Sequence, residues 1–370
     1  MDKARSAALY TLNRCFKSGA WSSLTLDSVI SKNAMSEQDS AFATFLTFGV
    51  IRNYRLLDYW IDSYSNKIKD IEVRNILRLG AFQINCCNSI PDSAAVNECV
   101  QLCKTSGFKS ASGLVNAILR KISSAEIQYP ESLAVKYSHP DWFVDKFLVE
   151  KGAEFTEQLL ISNNSEAPLC YHEAFSDNQK YVQDEAAYKS IELLDVYPGA
   201  SVLDACAAPG GKSFTLAKYM ENKGSIVSCD IHNKKLKLIS ENAERLGINI
   251  IKTRCLDASS FEPGYDKFFD FVVADVPCSG FGVIRKKPEI RFKSYEDITG
   301  LPEIQFKILE NVSRYLKSNG KLLYSTCTIF REENENVVRR LSGFEIIDEK
   351  TFYPNVDGTD GFYACYLKKK

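Results

Sequence analysis

Apolar residues in the first third of the chain recur at intervals of three and four positions, which is the spacing of an amphipathic α-helix. The pattern is clearest at residues 8–16, 42–50 and 77–84, and it is interrupted at Gly19, near Ser36 and at Gly107. About six helices are therefore predicted between residues 3 and 123, packed together as a bundle. Asp92 is predicted to be the N-cap of one of them, because its side chain can accept hydrogen bonds from unpaired backbone amides.

From about residue 197 onward, short apolar runs alternate with helix-like stretches. Strands are predicted at 201–205, 225–229, 248–253, 269–274 and 321–325, with helices at about 213–222, 233–246 and 303–317. This alternation is typical of an α/β fold with a doubly wound, mostly parallel sheet, in which ligands bind beyond the carboxyl ends of the strands. Segments 344–347 and 361–367 are predicted to add two strands, one of them antiparallel.

The region between these two patterns is mixed, and prolines at 130 and 140 precede a short predicted helix at 141–151. A length of 370 residues is enough for two or three domains. We expect a helical domain at residues 1–125, a linker region at 126–195 and an α/β domain at 196–370.

The composition, 45% hydrophobic and 25% charged, is that of a soluble globular protein, and no apolar run approaches the ~20 residues that span a bilayer. The twelve cysteines are scattered without a CxxC pair, which favours reduced thiols in a cytoplasmic protein. No heptad repeat is visible, so a monomer is expected. Because the net charge is only −1, nucleic acid would need a local basic patch, and the best candidate comprises Arg285, Lys286, Lys287 and Arg291.

The loop after the first predicted strand of the α/β region has the composition of a ligand-binding turn. Its glycines let backbone amides approach a ligand closely, and the helix that follows offers unpaired N–H groups to an anionic group. The spacing matches neither the P-loop nor the dinucleotide fingerprint, so nucleotides, dinucleotides and S-adenosylmethionine all remain possible ligands. The candidate binding residues in this loop are Cys206, Ala207, Ala208, Pro209, Gly210, Gly211 and Lys212.

Two aspartates follow the next two predicted strands. Asp230 stands where an acidic residue commonly binds the two hydroxyls of a ribose, and Asp257 stands where a carboxylate can accept from an adenine amine. Each alone is equally consistent with a helix cap or a turn. Their position at successive strand ends favours a role in cofactor binding.

Reactive residues follow the last two parallel strands. Asp275 precedes a Pro-Cys turn that ends in Cys278, and Cys327 follows the strand at 321–325. Either cysteine is a candidate nucleophile, because a thiol near basic groups or a helix terminus can have a lowered pKa. Asp275 is placed to bind a nucleobase edge. No histidine or CxxC pair lies nearby to complete a zinc site, so no metal is expected.

As a set, these motifs resemble the RNA cytosine-5 methyltransferases. The resemblance rests on residues 204–212, on 275–280 with Arg285 and 288–289, on 324–327 with 333–335, and on 182–187 before the cofactor loop. It implies that the loop from Cys206 to Lys212 binds S-adenosylmethionine, with Asp230 on the ribose and Asp257 near the adenine.

The resemblance also implies the catalytic roles. Cys327 would add to carbon 6 of a single-stranded or flipped-out cytosine, because carbon 5 is too weak a nucleophile to take a methyl group directly. Asp275 would bind or protonate ring nitrogen 3, and it would also lie at the cofactor site. Cys278 would assist the release of Cys327 after methyl transfer. DNA cytosine methyltransferases instead use the Pro-Cys cysteine as the nucleophile, so this assignment depends on the resemblance.

The helical region, at residues 48–52 and 115–120, resembles NusB-type RNA-binding domains. The combination resembles a bacterial methyltransferase of small-subunit (16S) ribosomal RNA. The family usually has a substantial RNA-binding subdomain between its Ala-Pro-Leu and Val-Gln-Asp segments, and here Leu169 and Val182 are barely a dozen residues apart. Alternatives are a methyltransferase of transfer RNA or DNA, and a NusB-like RNA-binding factor with an inactive catalytic domain.

Overall fold

The computed structural model describes residues 2–173 and 179–370 and divides the chain into two compact units. The first comprises Met1–Asn164 and Lys286–Lys293, and the second comprises Ser165–Arg285 and Ser294–Lys370. Residues 126–164 thus belong to the first unit, whereas the sequence pattern led us to expect a separate segment at 126–195. Residues 174–178 of that segment lie outside the described residues.

The first unit is helical in its described part. Its helices are α1 Lys3–Ser18, α2 Ser22–Lys32, α3 Glu37–Asp62, α4 Ile71–Cys86, α5 Asp92–Thr105, α6 Ser112–Ser124, α7 Leu133–Lys136, α8 Asp141–Lys151 and α9 Ala153–Asn164, with 3₁₀ turns at Lys109–Ala111 and Pro288–Phe292. The six helices up to residue 124 confirm the predicted bundle. Asp92 is the first residue of α5 rather than its cap, and its carboxylate accepts from the Ser123 hydroxyl at 2.8 Å, so the predicted N-cap was wrong by one position.

A short segment from much later in the chain completes this unit. The Glu289 carboxylate accepts from the backbone N–H and the hydroxyl of Ser22, each at 2.9 Å. Arg291 is 1% exposed and donates to the carbonyl of Arg52 at 2.6 Å and to that of Ser138 at 3.1 Å. Buried polar groups of this kind are tolerated only when their hydrogen bonds are satisfied, so residues 286–293 have a structural role in this unit.

The second unit contains a seven-stranded sheet and a small antiparallel pair. The strands are β1 Tyr171–Glu173, β2 Lys180–Val182, β3 Ser201–Asp204, β4 Ser225–Asp230, β5 Ile251–Cys255, β6 Phe269–Asp275, β7 Leu316–Thr326, β8 Phe344–Phe352 and β9 Phe362–Lys369. The helices are α10 Glu185–Glu192, α11 Gly211–Tyr219, α12 Asn233–Arg245, α13 Leu301–Ser313, α14 Glu335–Val338 and α15 Pro354–Asp357, with 3₁₀ turns at Pro263–Tyr265 and Phe281–Val283.

The sheet order is β5-β4-β3-β6-β7-β9-β8, with β3 to β7 parallel and β9 antiparallel to both of its neighbours. This confirms the doubly wound fold and the single antiparallel strand. Alternate residues of β3 enter different cores, Val202 on one face of the sheet and Leu203 on the other. The chain order reverses at β3, between β4 and β6, and such a switch point opens a crevice at the carboxyl ends of the strands.

Strand β5 begins at Ile251, three residues later than the predicted 248. Gly247 has φ +71°, and the N–H of Ile248 donates to the carbonyl of Ala243 at 2.8 Å. Residues 247 and 248 therefore close the end of α12 instead of starting the strand. A glycine in the left-handed backbone conformation commonly ends an α-helix in this way. Among the described residues, no helix combines the length and the apolar character that crossing a membrane requires.

Candidate active site

The carboxyl ends of β3 to β7 bring seven of the predicted site residues of the second unit to one edge of the sheet. Register places Asp275 of β6 beside Ser325 of β7, and Asp204 of β3 beside Ser228 of β4. A cavity of about 420 Å³ opens at this edge. Its lining includes Cys206, Ala208, Asp230, Asp257, Asp275, Cys278 and Cys327.

The glycine loop contributes Cys206 and Ala208 to the lining of this cavity. Gly210 has φ +114°, and a Cβ atom on it would lie 2.5 Å from the ring of Phe214, so the turn requires glycine there. The N–H of Gly210 donates to the carbonyl of Ala207 at 2.7 Å, and α11 begins at the next residue. Of the seven predicted loop residues, Cys206 and Ala208 line the cavity, and Ala207, Pro209, Gly210, Gly211 and Lys212 are not among its lining residues.

Asp204 anchors the loop from beneath. Its side chain is fully buried, and one carboxylate oxygen accepts from the Ser213 hydroxyl at 2.7 Å. Burial raises the pKa of Asp204 to about 7, because the charged form loses its hydration. The sequence placed Asp204 in the motif, but nothing in its spacing signalled that the carboxylate is an internal brace and does not line the cavity.

The two aspartates predicted to bind the cofactor both line the cavity. One oxygen of Asp230 accepts from the N–H of His232 at 2.8 Å. Asp257 accepts from the N–H and the hydroxyl of Ser259 at 2.9 and 2.8 Å. Both hydrogen bonds lower the pKa of Asp257, and the hydroxyl has the larger effect. Each aspartate thus also makes the turn contact that the sequence allowed as an alternative.

The two thiols meet, although 49 positions separate them in the chain. The Sγ atoms of Cys278 and Cys327 lie 3.1 Å apart, and both side chains line the cavity. The pKa of Cys278 is raised well above its ordinary value, mainly by the hydrogen bond with Cys327 and next by burial. Cys278 is therefore protonated at neutral pH, and the pair has the geometry to share a proton.

Asp275 is fixed by two groups beside this pair. The Ser325 hydroxyl donates to one carboxylate oxygen at 2.8 Å, and the Nζ of Lys212 lies 2.8 Å from the other. The Lys212 ammonium also lies 5.0 Å from the centre of the Phe362 ring. Sequence reasoning assigned Lys212 to the cofactor and missed its ion pair, since no local signal links residues 212 and 275.

The four basic residues predicted to bind RNA have different environments. In the second unit, Arg285 is 4% exposed and pairs with Asp360 at 2.8 Å. In the first unit, Arg291 is buried as described above, Lys286 is half-buried and Lys287 is exposed. A phosphate has no access to the buried guanidinium groups in this structure, so their placement corrects the expectation that Arg285 and Arg291 contact RNA directly.

Comparisons with known proteins agree with this architecture. The family model described as 16S rRNA methyltransferase RsmB/F matches residues 191–343, and the NusB family model matches residues 2–124. The crystal structure of a protein called PH0851 superposes with a TM-score of 0.80 over 100% of this chain and 99% of that chain. At 22% identity that likeness shows a shared fold alone.

Curated relatives cover both units. A probable ribosomal RNA small subunit methyltransferase B of Bacillus subtilis is 34% identical over 440 aligned positions, which cover 99% of this chain and 98% of the relative. At least 70 of those positions have no counterpart among the 370 residues of this chain. The ribosomal RNA small subunit methyltransferase B of Thermus thermophilus is 32% identical, covering 87% of this chain and 83% of the relative. The chain therefore belongs to the family of ribosomal RNA small subunit methyltransferases B.

Proposed function

We propose that this protein is a methyltransferase that uses S-adenosylmethionine to form 5-methylcytosine in small-subunit ribosomal RNA. The observation that carries the proposal is the contact of two thiols, 3.1 Å apart, beside a fixed carboxylate in a cavity at the sheet's switch point. Family membership supports the substrate, because the relatives are named for ribosomal RNA of the small subunit.

The cavity fits the cofactor in size and in chemistry. Its volume of about 420 Å³ falls within the ~300–1,000 Å³ typical of small-molecule sites. Asp230 would accept from the ribose hydroxyls and Asp257 from the adenine amine, and the loop contributes the small side chains of Cys206 and Ala208 to the cavity wall. When bound there, S-adenosylmethionine supplies an electrophilic methyl group.

The remaining chemistry belongs to the chain. Cys327 adds to carbon 6 of the cytosine, which makes carbon 5 nucleophilic enough to take the methyl group. Asp275 binds or protonates ring nitrogen 3, where negative charge develops as Cys327 adds and the ring loses its aromaticity. Lys212 and Ser325 hold the Asp275 side chain in place. Preorganised groups of this kind stabilise a transition state without reorganising at the moment of reaction.

After methyl transfer, carbon 5 loses its proton, the electron pair of that C–H bond re-forms the ring double bond, and the bond between Cys327 and carbon 6 breaks. Cys278 assists this release of Cys327. A thiolate, not a thiol, is the attacking species, and the raised pKa of Cys278 keeps that residue protonated. The assignment of Cys327 as the nucleophile and of Cys278 as its proton-bearing partner follows the family resemblance. A contact of 3.1 Å between the two sulfur atoms lets a proton pass between them directly.

The first unit is proposed to bind the RNA. Residues 1–124 contain 15 basic and 10 acidic side chains, whereas the rest of the chain has 31 and 37. A groove of about 780 Å³ between α1 and α2 is lined by Lys3, Arg14 and Lys32 together with Tyr10, which is 53% exposed, and no acidic residue is among the lining residues of the described structure. Cations attract phosphates and an exposed aromatic ring stacks on bases, so the groove suits single-stranded RNA. Exposed Lys287 is retained as a further phosphate contact.

Bisulfite sequencing of RNA from a strain lacking this gene tests the proposal. We expect one 5-methylcytosine to disappear from small-subunit ribosomal RNA and to return when the wild-type protein is supplied. Loss of a transfer-RNA mark instead would identify a transfer-RNA methyltransferase. If no methylcytosine is lost from any RNA, the enzyme assignment is wrong and the RNA-binding alternative takes its place.

A further inference from the structure

A buried set of hydrogen bonds lies directly behind the two thiols. The residues that follow the cysteines, Ser279 and Thr328, are fully buried, and their hydroxyls lie 2.9 Å apart. The N–H of Gly282 donates to the carbonyl of Cys327 at 3.0 Å. The loop after β6 and the loop after β7 are therefore joined immediately beyond the reactive sulfurs.

Glu333 lies at the centre of this network and is 1% exposed. Its carboxylate accepts from the backbone N–H of Ser279 at 2.8 Å and from the amide of Gln305 at 2.8 Å. The same Gln305 amide donates to the carbonyl of Pro277 at 3.0 Å, and the hydroxyl of Tyr324 donates to the Glu333 carbonyl at 2.6 Å. Contacts from Glu333 and Gln305 thus hold residues on both sides of Cys278.

Stability alone does not account for a carboxylate in this position. Moving a charged group out of water costs several kcal/mol, and well-packed apolar residues often replace buried ionic groups without loss of stability. Hydrogen bonds within a buried network instead restrict the groups around them to one arrangement. The arrangement fixed here is the 3.1 Å contact between the sulfur atoms of Cys278 and Cys327.

Resting on the proposed function, we propose that Glu333 is a positioning residue of the methyltransferase, whose carboxylate holds the Cys278 loop so that its sulfur stays in contact with Cys327. Glu333 is not among the lining residues of the cavity and has no direct contact with the reacting atoms. Its effect reaches the chemistry through the N–H of Ser279 and the Ser279–Thr328 hydroxyl pair.

The test measures the thiol pair without RNA or cofactor. Phenylarsine oxide condenses with two adjacent thiols: both S–H bonds and the arsenic–oxygen bond break, two As–S bonds form, and water leaves. Its affinity therefore reports how well the two sulfurs are placed for one arsenic atom. The difference between the wild-type protein and Cys278→Ser gives the signal of this pair and removes that of the other cysteines.

We expect Glu333→Ala to weaken phenylarsine oxide binding about 10-fold and to lower kcat by about 10- to 100-fold, because small misplacements of reacting groups have effects of that size. KM for the cofactor should stay within about twofold, since Glu333 is not among the residues that line the cavity. Glu333→Gln keeps an oxygen acceptor for the Ser279 N–H and should restore most of both values. Glu303→Gln is the matched control, because Glu303 is 74% exposed and pairs with Arg340.

If Glu333→Ala does not fold, Thr328→Val takes its place, because valine has a volume similar to that of threonine but lacks the hydroxyl. Thr328→Val should also weaken arsenical binding. One result would overturn the proposal: Glu333→Ala folds with a lowered unfolding midpoint, yet it binds the arsenical and methylates RNA like the wild type. A residue that only stabilises the fold behaves in that way. If no variant, including the wild type, methylates RNA while the arsenical series behaves as expected, the proposed function fails and the positioning role stands.

Discussion

The reactive loop at 275–278 and the basic run at 285–291 are close neighbours in the chain, yet the side chains of the first line a cavity and the arginines of the second are buried. Asp275 and Cys278 line the cavity, where Cys278 meets Cys327. Arg285 and Arg291 enter the interior of their respective units and bind carboxylate, carbonyl and amide groups of the protein itself. The carboxyl ends of parallel strands lie at one edge of the sheet, so the place of a residue there can be predicted from the sequence. Whether a charged residue on a loop is buried depends on its partners in the folded protein.

The largest expected effect lies at the thiols. Cys327→Ala should lower methylation by at least about 10³-fold, since it removes the nucleophile, whereas Cys278→Ala should leave a covalent RNA–protein adduct that is not released. Incorporation of labelled methyl groups measures the first, and a shifted band on a denaturing gel measures the second. Adduct formation by Cys327→Ala, with none by Cys278→Ala, would reverse the two roles.

The basic run gives the next test. Arg291→Met should lower the free energy of unfolding by about 3 kcal/mol, because it leaves buried carbonyls and the Asn164 amide oxygen without their donor. Lys287→Ala should change it by less than about 0.5 kcal/mol. Urea unfolding measures both. An Arg291 variant of wild-type stability that binds RNA weakly would return this residue to the RNA contacts.

Asp204 allows a test of whether burial raises the pKa of a carboxyl group that supports the loop and does not line the cavity. Its pKa in the folded protein, about 7, exceeds the unfolded value, so the folded state binds the extra proton between about pH 4 and 7. The stability contribution is complete below pH 4 and is lost as the pH rises through 7. Asp204→Asn should remove this fall in stability, and thermal unfolding across pH 4–8 measures it. A variant with an unchanged pH dependence would contradict the burial argument.

The smallest effect is expected in the α1–α2 groove. Replacing Lys3, Arg14 and Lys32 by Gln one at a time should weaken RNA binding a few-fold each and reduce the dependence of affinity on salt by about one ion per residue. Filter binding across a salt series measures both quantities. Equal changes at Lys369, which donates to the Ser313 and Leu316 carbonyls in the second unit, serve as the control and should leave the salt dependence unchanged.

Much of the fold and of the site followed from local patterns. Helical spacing predicted the six-helix bundle, and alternating apolar runs predicted the parallel sheet. The position of Asp230, Asp275, Cys278 and Cys327 at strand ends predicted their meeting at one edge, because parallel strands share their carboxyl ends. Errors were local as well: the cap at Asp92 and the start of β5 each depended on which backbone groups were already paired.

The sequence by itself determined the elements, their order and the chemical groups at the strand ends, since these depend on periodicity and on residue type. Only the tertiary structure decided which partner each charged group has: Arg285 pairs with Asp360, Lys212 with Asp275, and Glu333 with the Ser279 amide. Those pairs join residues from 54 to 75 positions apart. The free energy of a charged side chain depends on its solvent and its partner, and neither is set by its neighbours in the chain.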